Sequence, residues 1–252
     1  MVGGLVRRRF FVGSFDDGRA TLSGAGAHHL GRVLRAESGQ NYELSDGRAV
    51  WLARVERVGR DAVEFTLVEP VEGRPSRLAA TLLLAIVKFD RFEWALEKAT
   101  ELGAEAIVPL AAKRSEKALV SAAGKRAERW ERILLESAQQ ARCLRPPELR
   151  QLSSPAAAFR AAEGSLKVLL SERSEAPGLR SVLEASAANS RAADDGRVHV
   201  ALAIGPEGGW TDREFEEAAA AGFREASLGS NILRTETAVA AGLAAAHLYF
   251  DD

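Results

Sequence analysis

The most constraining feature of this sequence is an apolar run, Val198–Ile204, which only His199 interrupts and which ends directly at a glycine–proline pair. Such a run is typical of a strand buried on both faces, as in a parallel sheet covered by helices. Thr211, with Glu214 three residues later, has the pattern of a capping box, so we expect a helix over 212–221. Gly222 is then placed to end that helix in the left-handed conformation. The segment predicts a strand, a glycine-bearing loop and a helix, with the loop at the carboxyl edge of a sheet.

A second segment repeats this organisation closer to the C-terminus. It predicts a short strand over 226–228, a turn at Gly229-Ser230 and an alanine-rich helix from Thr235 to about Tyr249. At the carboxyl edge of an open α/β sheet, glycines let the backbone approach a ligand closely. The G-x-x-G-G spacing, the missing acidic residue about 20 positions on and the absence of a P-loop lysine argue against a nucleotide site. Taken alone, the loops are equally consistent with tight structural turns, and Trp210 is expected to pack in the core.

Strands and helices alternate through the whole C-terminal part of the chain, which predicts a parallel sheet covered on both faces. Apolar runs predict further strands over 81–87, 106–110 and 166–170, and amphipathic patterns predict helices over 91–102 and 125–142. Gly103 is placed to end the first of these helices. The polar segment 185–196 has no clear periodicity, so we expect a mobile loop there.

The N-terminal part has a different pattern, and prolines and glycine at 70–77 predict a linker after it. Short segments of alternating polarity predict strands over 8–12, 42–44, 49–58 and 63–68, and one short helix is expected over 28–35. Short strands joined by Asp-Gly turns are typical of a small barrel. We therefore expect a β-barrel domain over residues 1–72 and an α/β domain over residues 73–252.

Composition limits the classes of protein to which the chain can belong. Of its 252 residues 46% are hydrophobic, enough for one or two cores, and the single cysteine, Cys143, suits a reducing compartment. We expect a cytoplasmic protein, because neither a signal peptide nor an apolar run of membrane-spanning length is present. Since the formal net charge is −1, nucleic acid must be bound by local patches. Two candidates are Arg7-Arg8-Arg9, which two phenylalanines follow, and segment 113–150, with ten Lys or Arg against five Glu.

The two glycine-bearing segments also carry a family resemblance. Ile204-Gly-Pro-Glu-Gly-Gly-Trp-Thr-Asp-Arg-Glu214 and Leu228-Gly-Ser-Asn-Ile-Leu-Arg-Thr-Glu-Thr-Ala238 are similar to the signature motifs of RsmE-type 16S ribosomal RNA (uracil-N3) methyltransferases of the SPOUT class. The resemblance covers nearly the whole chain, with matching segments at 8–12, 28–35, 98–103 and 136–140 and at Lys88. It implies an α/β fold with a SPOUT-type parallel sheet and a C-terminal trefoil knot, plus a small N-terminal PUA-like β-barrel that binds RNA.

The resemblance further implies a function, namely methylation of N3 of a specific uridine in the 16S rRNA of the small ribosomal subunit. The implied cofactor is S-adenosyl-L-methionine, and the implied assembly is a homodimer without membrane attachment. A SPOUT enzyme that acts on another RNA position, and an RNA-binding assembly factor without catalysis, are the alternatives. No metal is expected, because the adjacent His28 and His29 diverge on a helix and no further ligand residues accompany them.

The resemblance implies that the cofactor lies among three loops and that the catalytic residues lie beside it. A positive group would stabilise the uracil anion that forms when the imide proton leaves, and Arg234 is the candidate for this role. Glu207 or Glu236 is expected to orient the substrate or accept the proton, with His28 as a further candidate. Glu236 equally suits the N-terminal turn of a helix. The implied cofactor-binding residues are Leu170, Ser171, Glu172, Gly205, Pro206, Glu207, Gly208, Gly209, Leu228, Gly229, Ile232, Leu233 and Arg234.

RNA binding is expected mainly from the N-terminal domain. The chain departs from the family pattern at Gln139, which replaces a glutamate, and at Cys143, which stands where an arginine is expected. The arginines within 126–132 alternate with glutamates and indicate a solvated helix face instead. The residues assigned to RNA binding are Arg7, Arg8, Arg9, Phe10, His28, Arg32, Arg35, Lys88, Arg114, Gln140 and Arg142.

Overall fold

The computed structural model describes residues 8–73, 76–187 and 195–251 of the chain. Contacts divide the chain into two compact units. The N-terminal unit contains Met1–Pro75 and Leu135–Pro146, and the C-terminal unit contains Ser76–Leu134 and Pro147–Asp252. By its contacts, the segment Leu135–Pro146 thus groups with the N-terminal unit, although the division at 72/73 places it in the second domain.

Among the described residues, the N-terminal unit contains a five-stranded sheet. Its strands are β1 (Arg9–Phe11), β2 (Arg19–Ser23), β3 (Asn41–Ser45), β4 (Val50–Val58) and β5 (Ala62–Pro70). Their spatial order is β1-β3-β4-β5-β2, with β1 parallel to β3 and the other neighbours antiparallel. The sequence-based prediction lacks β2, although its five residues alternate between exposed and buried positions.

Between β2 and β3 the chain forms α1 (Gly24–His28) and continues as a π-helical turn over His29–Val33. The single helix predicted over 28–35 is therefore wrong in its limits. The small residues at the start of α1 carry little amphipathic signal, although Ala27 is buried in the core of the unit together with Leu30. Three residues that follow, Arg32, Val33 and Leu34, are exposed.

A buried ion pair holds the segment Leu135–Pro146 in this unit. Arg9 donates from Nε and Nη2 to Oε2 of Glu43 at 3.2 and 3.0 Å, and the two side chains are only 10% and 6% exposed. Nη1 of Arg9 donates to the main-chain oxygens of Arg142 at 2.6 Å and Cys143 at 3.2 Å. Arg142 also pairs with Oε1 of Glu43 at 3.3 Å. Burial raises the pKa of the Cys143 thiol, and the nearby Arg9 charge opposes this only in part. Arg9 is therefore a buried residue whose hydrogen bonds join three parts of the unit.

Replacing Arg9 by alanine should destabilise the N-terminal unit, whereas Arg8→Ala, at its exposed neighbour, should not. Arg9→Ala removes hydrogen bonds from a buried charged donor, but Glu43 keeps Arg142 as a partner. We expect the free energy of unfolding to fall by about 1–3 kcal/mol. Thermal unfolding of both variants measures this, and equal stability of the two would contradict the structural role.

Within its described residues the C-terminal unit contains six parallel strands, as the alternation of strands and helices predicts. They are β6 (Leu78–Ala85), β7 (Ala104–Leu110), β8 (Glu148–Leu149), β9 (Leu166–Leu170), β10 (Val198–Ile204) and β11 (Arg224–Ala226). The spatial order is β11-β9-β10-β6-β7-β8. β9 and β10 have the predicted limits, whereas β11 lies two residues earlier than predicted and the two-residue β8 is absent from the prediction.

Seven helices follow residue 76 in the described part of the chain. They are α2 (Phe89–Glu101), α3 (Lys117–Ala123), α4 (Ala127–Ala141), α5 (Pro155–Ala161), α6 (Leu179–Ala187), α7 (Asp212–Ala220) and α8 (Thr235–Phe250), with a 3₁₀ turn at Gly124–Arg126. Helices α3, α5 and α6 are absent from the sequence-based prediction. The predicted loop at 185–196 is wrong in its first three residues, which are helical, and residues 188–194 lie outside the described part.

The predicted helix ends in this unit are confirmed. Thr211 accepts a hydrogen bond from the backbone nitrogen of Glu214, whose carboxylate in turn accepts from the backbone nitrogen of Thr211 at 2.8 Å, so the capping box of α7 is complete. Gly222, after α7, has φ of +85°, and Gly103, after α2, has φ of +73°. Both glycines adopt the left-handed conformation that ends a helix.

Four strands of the C-terminal unit, β6, β7, β9 and β10, contribute buried residues to cores on both faces of the sheet. Leu82 and Leu84 of β6 belong to one hydrophobic core, while Leu83 and Ala85 belong to a second core on the opposite face. Successive strand residues point to opposite sides, so an unbroken apolar run satisfies two cores at once. Helix α8 approaches this sheet closely at Gly242, where a Cβ atom would lie 2.9 Å from Cδ2 of Leu202.

A carboxylate joins the end of α8 to the start of β6. Asp251 accepts hydrogen bonds from the backbone nitrogen of Arg77 at 2.6 Å and from Oγ of Ser76 at 3.0 Å, and it lies 2.6 Å from Nδ1 of His247. Burial pushes the pKa of Asp251 upward, but the hydrogen bonds from His247, Arg77 and Ser76 outweigh it and hold the pKa below its usual value.

The stability of the protein should therefore depend on this carboxylate in acid. A group whose pKa is lowered by folding stabilises the fold above its unfolded-state pKa of about 3.9, and that contribution is lost as the pH falls through the folded-state pKa. Asp251→Asn should lower the melting temperature at neutral pH and flatten its decline in acid. Thermal unfolding from pH 7 to pH 2 measures this, and parallel pH curves for both proteins would contradict it.

Candidate active site

A cleft of about 540 Å³ opens at the carboxyl edge of the C-terminal sheet, entirely within the C-terminal unit. The loops after β9 and β10 and the loop before α8 form most of its wall. All the cofactor-binding residues implied by the sequence line it except Gly208. The volume lies within the range of about 300–1,000 Å³ that is typical of small-molecule sites.

The glycine-bearing loop after β10 is tightly folded. The backbone nitrogen of Gly209 donates to the oxygen of Pro206 at 2.8 Å, and Gly209 has φ of +70°, which favours glycine. At Gly205 a Cβ atom would lie 3.0 Å from the ring of Trp210. Trp210 is only 5% exposed and donates from its indole nitrogen to the oxygen of Leu170 at 3.1 Å. As expected, Trp210 is a core residue, and it supports the loop from beneath.

Two arginines, which lie after β6 and after β7 in the chain, contact this loop. Arg114, after β7, donates from Nη1 to the main-chain oxygens of Gly208 at 2.8 Å and Trp210 at 3.1 Å. Arg91, in the first turn of α2, forms an ion pair with Glu207. Arg114 is one of the predicted RNA-binding residues, whereas Arg91 is absent from the predicted site residues. The position of Arg91, shortly after a buried strand of the same sheet, is the signal that would have placed it at this edge.

The loop before α8 forms the apolar part of the wall. Ile232 is 78% exposed and Leu233 is also exposed, although both are large aliphatic residues. Oγ1 of Thr235 donates to the oxygen of Gly205 at 3.2 Å and so joins this loop to the glycine-bearing loop. Arg234 is exposed and lines the cleft immediately before α8. Glu236 lies outside the lining, and its Oε2 atom is buried without a hydrogen-bond partner among the described residues.

The loop after β9 completes the wall. The backbone nitrogen of Ser171 donates to the oxygen of Ala226 at 2.9 Å, which ties this loop to β11. Oε1 of Glu172 lies 3.1 Å from the position that a Cβ atom would take at Gly209. Arg173 stacks 3.6 Å above the ring of Phe215 and pairs with a carboxylate of α7. The cleft therefore combines an apolar wall, turns with close backbone packing and charged groups of both signs.

The predicted RNA-binding residues fall into separate groups. Four of them, Arg8, His28, Arg32 and Arg35, are exposed on the N-terminal unit, and Nη1 of Arg8 lies 3.3 Å from Nε2 of the neighbouring His29. Between the last two arginines, Val33 and Leu34 are also exposed. These six side chains form what we call the N-terminal basic surface, made of Arg8, His28, Arg32, Val33, Leu34 and Arg35.

Other predicted RNA contacts lie elsewhere. Phe10 is fully buried in the core of the N-terminal unit, so its ring is not available to a base. Gln140 is exposed near the end of α4, whereas Arg142 pairs with Glu43. Lys88 is exposed directly before α2 in the C-terminal unit. Arg7 lies outside the described residues.

Several arginines of the basic segment 113–150 form ion pairs. Arg126 and Arg129 both pair with Glu93 of α2, at 3.4 and 2.8 Å. Arg150 pairs with Glu148 at 3.1 Å. These contacts agree with a solvated, charge-paired helix face in this segment.

In the ranges 8–73, 76–187 and 195–251, no group of three or more His, Cys, Asp or Glu is arranged to hold a metal ion. No helix in the same ranges combines the length and apolarity that crossing a membrane requires.

Comparison with known proteins identifies matching families and relatives. Residues 74–247 match the family model of an RNA methyltransferase domain, and residues 22–68 match that of an RNA methyltransferase PUA domain. The ribosomal RNA small subunit methyltransferase E of Synechocystis sp. is 36% identical over 228 residues, which cover 89% of this chain and 71% of that protein. The protein of the same name from Mycobacterium bovis is 31% identical over 255 residues, with 96% and 91% covered.

Solved structures show the same similarity. The ribosomal RNA small subunit methyltransferase E from Neisseria gonorrhoeae, crystallised with S-adenosyl methionine, has a TM-score of 0.80 at 28% identity and covers 94% of this chain and 95% of its own. A putative methyltransferase from Legionella pneumophila, in complex with the cofactor SAM, has a TM-score of 0.80 at 31% identity, with 96% and 97% covered. With its parallel α/β sheet and N-terminal PUA domain, this chain belongs to the ribosomal RNA small subunit methyltransferase E family of RNA methyltransferases.

Proposed function

We propose that this protein transfers a methyl group from S-adenosylmethionine to N3 of a uridine in the 16S rRNA of the small ribosomal subunit. The observation that carries the proposal is the cleft at the sheet edge, where two glycine-bearing loops are joined by the hydrogen bond from Thr235 to Gly205. Further support comes from the two similar structures that hold S-adenosylmethionine and from the shared name of the relatives.

The cleft suits S-adenosylmethionine in size and in chemistry. Leu228, Ile232 and Leu233 provide an apolar wall for a flat base, while arginine and carboxylate side chains of the lining suit the carboxylate and ammonium groups of the ligand. When bound, the cofactor supplies an electrophilic methyl group. The contribution of the chain is to hold donor and acceptor in line, and such alignment is worth on the order of 7–11 kcal/mol in ideal cases.

We assign the main electrostatic role to Arg234. The N3 imide of uracil is a poor nucleophile while it is protonated, so the site must remove a proton and stabilise the resulting anion. Arg234 is an exposed cation of the lining, and its guanidinium is proposed to stabilise O2 or O4 of the anion. Because Glu207 belongs to the lining and Glu236 does not, we assign to Glu207 the orientation of the uracil or acceptance of its proton. Glu236 is assigned to the helix N-terminus.

The N-terminal basic surface is the proposed binding surface for rRNA. Contacts from its arginines to phosphates would supply affinity and orientation but not base choice. The N3 atom is a Watson–Crick position that pairing blocks, so the substrate uridine must be unpaired or flipped out. Recognition of the base therefore belongs to the cleft, and recognition of the surrounding rRNA to the PUA domain.

We further propose that the enzyme works as a cytoplasmic homodimer with a knotted C-terminal region. Leu248 on α8 is 71% exposed and Tyr249 beside it is also exposed, and burying them against a second copy would remove apolar surface from water. Light scattering should give twice the chain mass of 27.0 kDa. Leu248→Glu should shift the protein to monomers and lower methyl transfer. A monomeric wild-type protein with full activity would contradict the dimer.

Nucleoside analysis of 16S rRNA tests the proposed reaction. In a strain that lacks this protein, 3-methyluridine should disappear, and the wild-type gene should restore it while a Gly209→Val gene should not. Loss of a different modified nucleoside would move the activity to another RNA position. An unchanged profile, with RNA binding retained, would indicate an assembly factor without catalysis.

A further inference from the structure

Arg114 makes contacts that its sequence context does not suggest. Its Nη1 atom donates to the oxygens of Gly208 and Trp210, at 2.8 and 3.1 Å, so a single guanidinium nitrogen bridges the residues on either side of Gly209. The carbon stem also packs closely, because a Cβ atom at Gly208 would lie 3.2 Å from Cβ of Arg114. Side chain and loop are therefore fitted to each other.

The bridged oxygens have a particular need for a donor. Gly208 and Trp210 lie in an irregular loop, outside the ladders and helices that satisfy most backbone groups. A hydrogen bond from a charged guanidinium is stronger than one between neutral groups. Gly209, between them, has φ of +70° and lines the cleft. The bridge therefore stabilises the one turn of this loop that has an unusual backbone.

The backbone around Arg114 is anchored on both sides. The preceding residue, Lys113, donates its backbone nitrogen to Oε1 of Glu214 at 2.9 Å, and Glu214 is the buried carboxylate that caps α7. The following residue, Ser115, donates from Oγ to the oxygen of Ile86, after β6, at 2.7 Å. Because both neighbours are fixed to the scaffold, the arginine is presented to the loop from a rigid support.

We infer that Arg114 is a positioning residue of the cofactor site, which holds the Gly208–Trp210 turn in its binding conformation, rather than an RNA contact. The inference rests on the proposed assignment of the cleft to S-adenosylmethionine. Without the bridge, the free loop samples other conformations. Binding must then order the loop, and the free-energy cost of that ordering weakens affinity.

Three variants test this role. Arg114→Ala should weaken S-adenosylmethionine binding in calorimetry by about 10- to 100-fold, and raise the KM for this substrate while kcat changes by less than about threefold. Arg114→Lys keeps the charge, but its ammonium is one bond short of the Nη1 position, so it should stay impaired. The control Lys113→Ala removes an adjacent exposed charge whose side chain does not hold the loop, and it should bind normally.

Hydrogen exchange supplies the readout that separates positioning from direct contact. Without ligand, a peptide spanning 204–211 should exchange faster in Arg114→Ala than in the wild type, because the hydrogen bond from Gly209 to Pro206 opens more often. Unchanged exchange with weakened binding would mean that Arg114 touches the ligand itself and would overturn the inference. Full recovery of affinity in Arg114→Lys would overturn it as well, because charge alone would then suffice.

RNA binding and a second site variant distinguish the remaining outcomes. Filter binding to small-subunit rRNA at several salt concentrations should be unchanged in Arg114→Ala. A loss of RNA affinity with normal cofactor affinity would overturn the inference and restore the RNA role. If Gly209→Val also binds S-adenosylmethionine normally, the site assignment itself fails. If Gly209→Val loses binding and Arg114→Ala does not, only the role of Arg114 fails.

Discussion

Gly209→Val should abolish S-adenosylmethionine binding while leaving the fold in place. Gly209 has φ of +70°, in the left-handed region that β-branched residues avoid, and a Cβ atom there would lie 3.1 Å from Oε1 of Glu172. Valine therefore forces the loop into another backbone conformation and displaces a carboxylate of the lining. Since strain of this kind costs about 1–3 kcal/mol before any lost contact is counted, we expect affinity to fall by on the order of 100-fold or more in calorimetry.

Gly222→Val is the matched control for this change. Gly222 also has a positive φ, of +85°, but nothing lies within 4 Å of its Cβ position. Both variants carry backbone strain, and only Gly209 lies at the cleft. An equal loss of cofactor binding in the two would reveal a general loss of stability. Normal binding by Gly209→Val, with a normal melting temperature, would reject the cleft as the cofactor site.

Arg234→Ala should lower turnover by about 100-fold or more while RNA affinity falls little. Removing one preorganised donor to a developing oxyanion has an effect of this size in a site that excludes water. Arg234 is suited to the role because it lines the cleft and immediately precedes α8. The assay is transfer of labelled methyl groups from S-adenosylmethionine to small ribosomal subunits, at saturating concentrations of both substrates.

Arg32→Ala should have the opposite effect, lowering RNA affinity and not turnover. Arg32 is exposed on the N-terminal basic surface, so its loss should weaken RNA binding. The slope of log affinity against log salt concentration should become less negative by roughly 0.7–0.9 for each lost phosphate contact. Cofactor affinity should not change.

If Arg234→Ala kept its turnover within about threefold of the wild type, another cationic group of the lining, such as Arg91 or Arg173, would have to stabilise the anion.

The elements whose limits were predicted correctly are each determined by a single physical constraint. β10 has its predicted limits because its buried part, residues 200–204, is packed between two cores and is apolar at every position. The start of α7 follows from the capping box of Thr211 and Glu214, since both hydrogen bonds are local. The two glycine-bearing loops each follow a strand, and the carboxyl ends of parallel strands lie at one edge of a sheet. Most of the cleft wall was therefore predictable.

Elements that depend on distant partners were not predictable in this way. Arg9 follows two other arginines and precedes aromatic residues, which indicates a surface, yet it is buried against Glu43, 34 positions away. Nothing local distinguishes it from Arg8. The same holds for Arg114, whose acceptors lie more than 90 positions further along the chain. The two-residue β8 and the short helix α3 contain too few residues to establish a period.

The close approach of α8 to the sheet limits how this enzyme can be engineered. Helix propensity alone marks Gly242 as a weak position, and replacement by alanine would normally gain about 1 kcal/mol. Here the added methyl group would meet Leu202 at 2.9 Å and Leu170 at 3.2 Å, so these side chains or the helix itself would have to shift. Because Leu170 lines the cleft and α8 begins directly after Arg234, such a shift would reach the cleft. A substitution chosen for heat resistance would thus act on activity, and directed evolution of a more robust enzyme should leave this glycine unchanged.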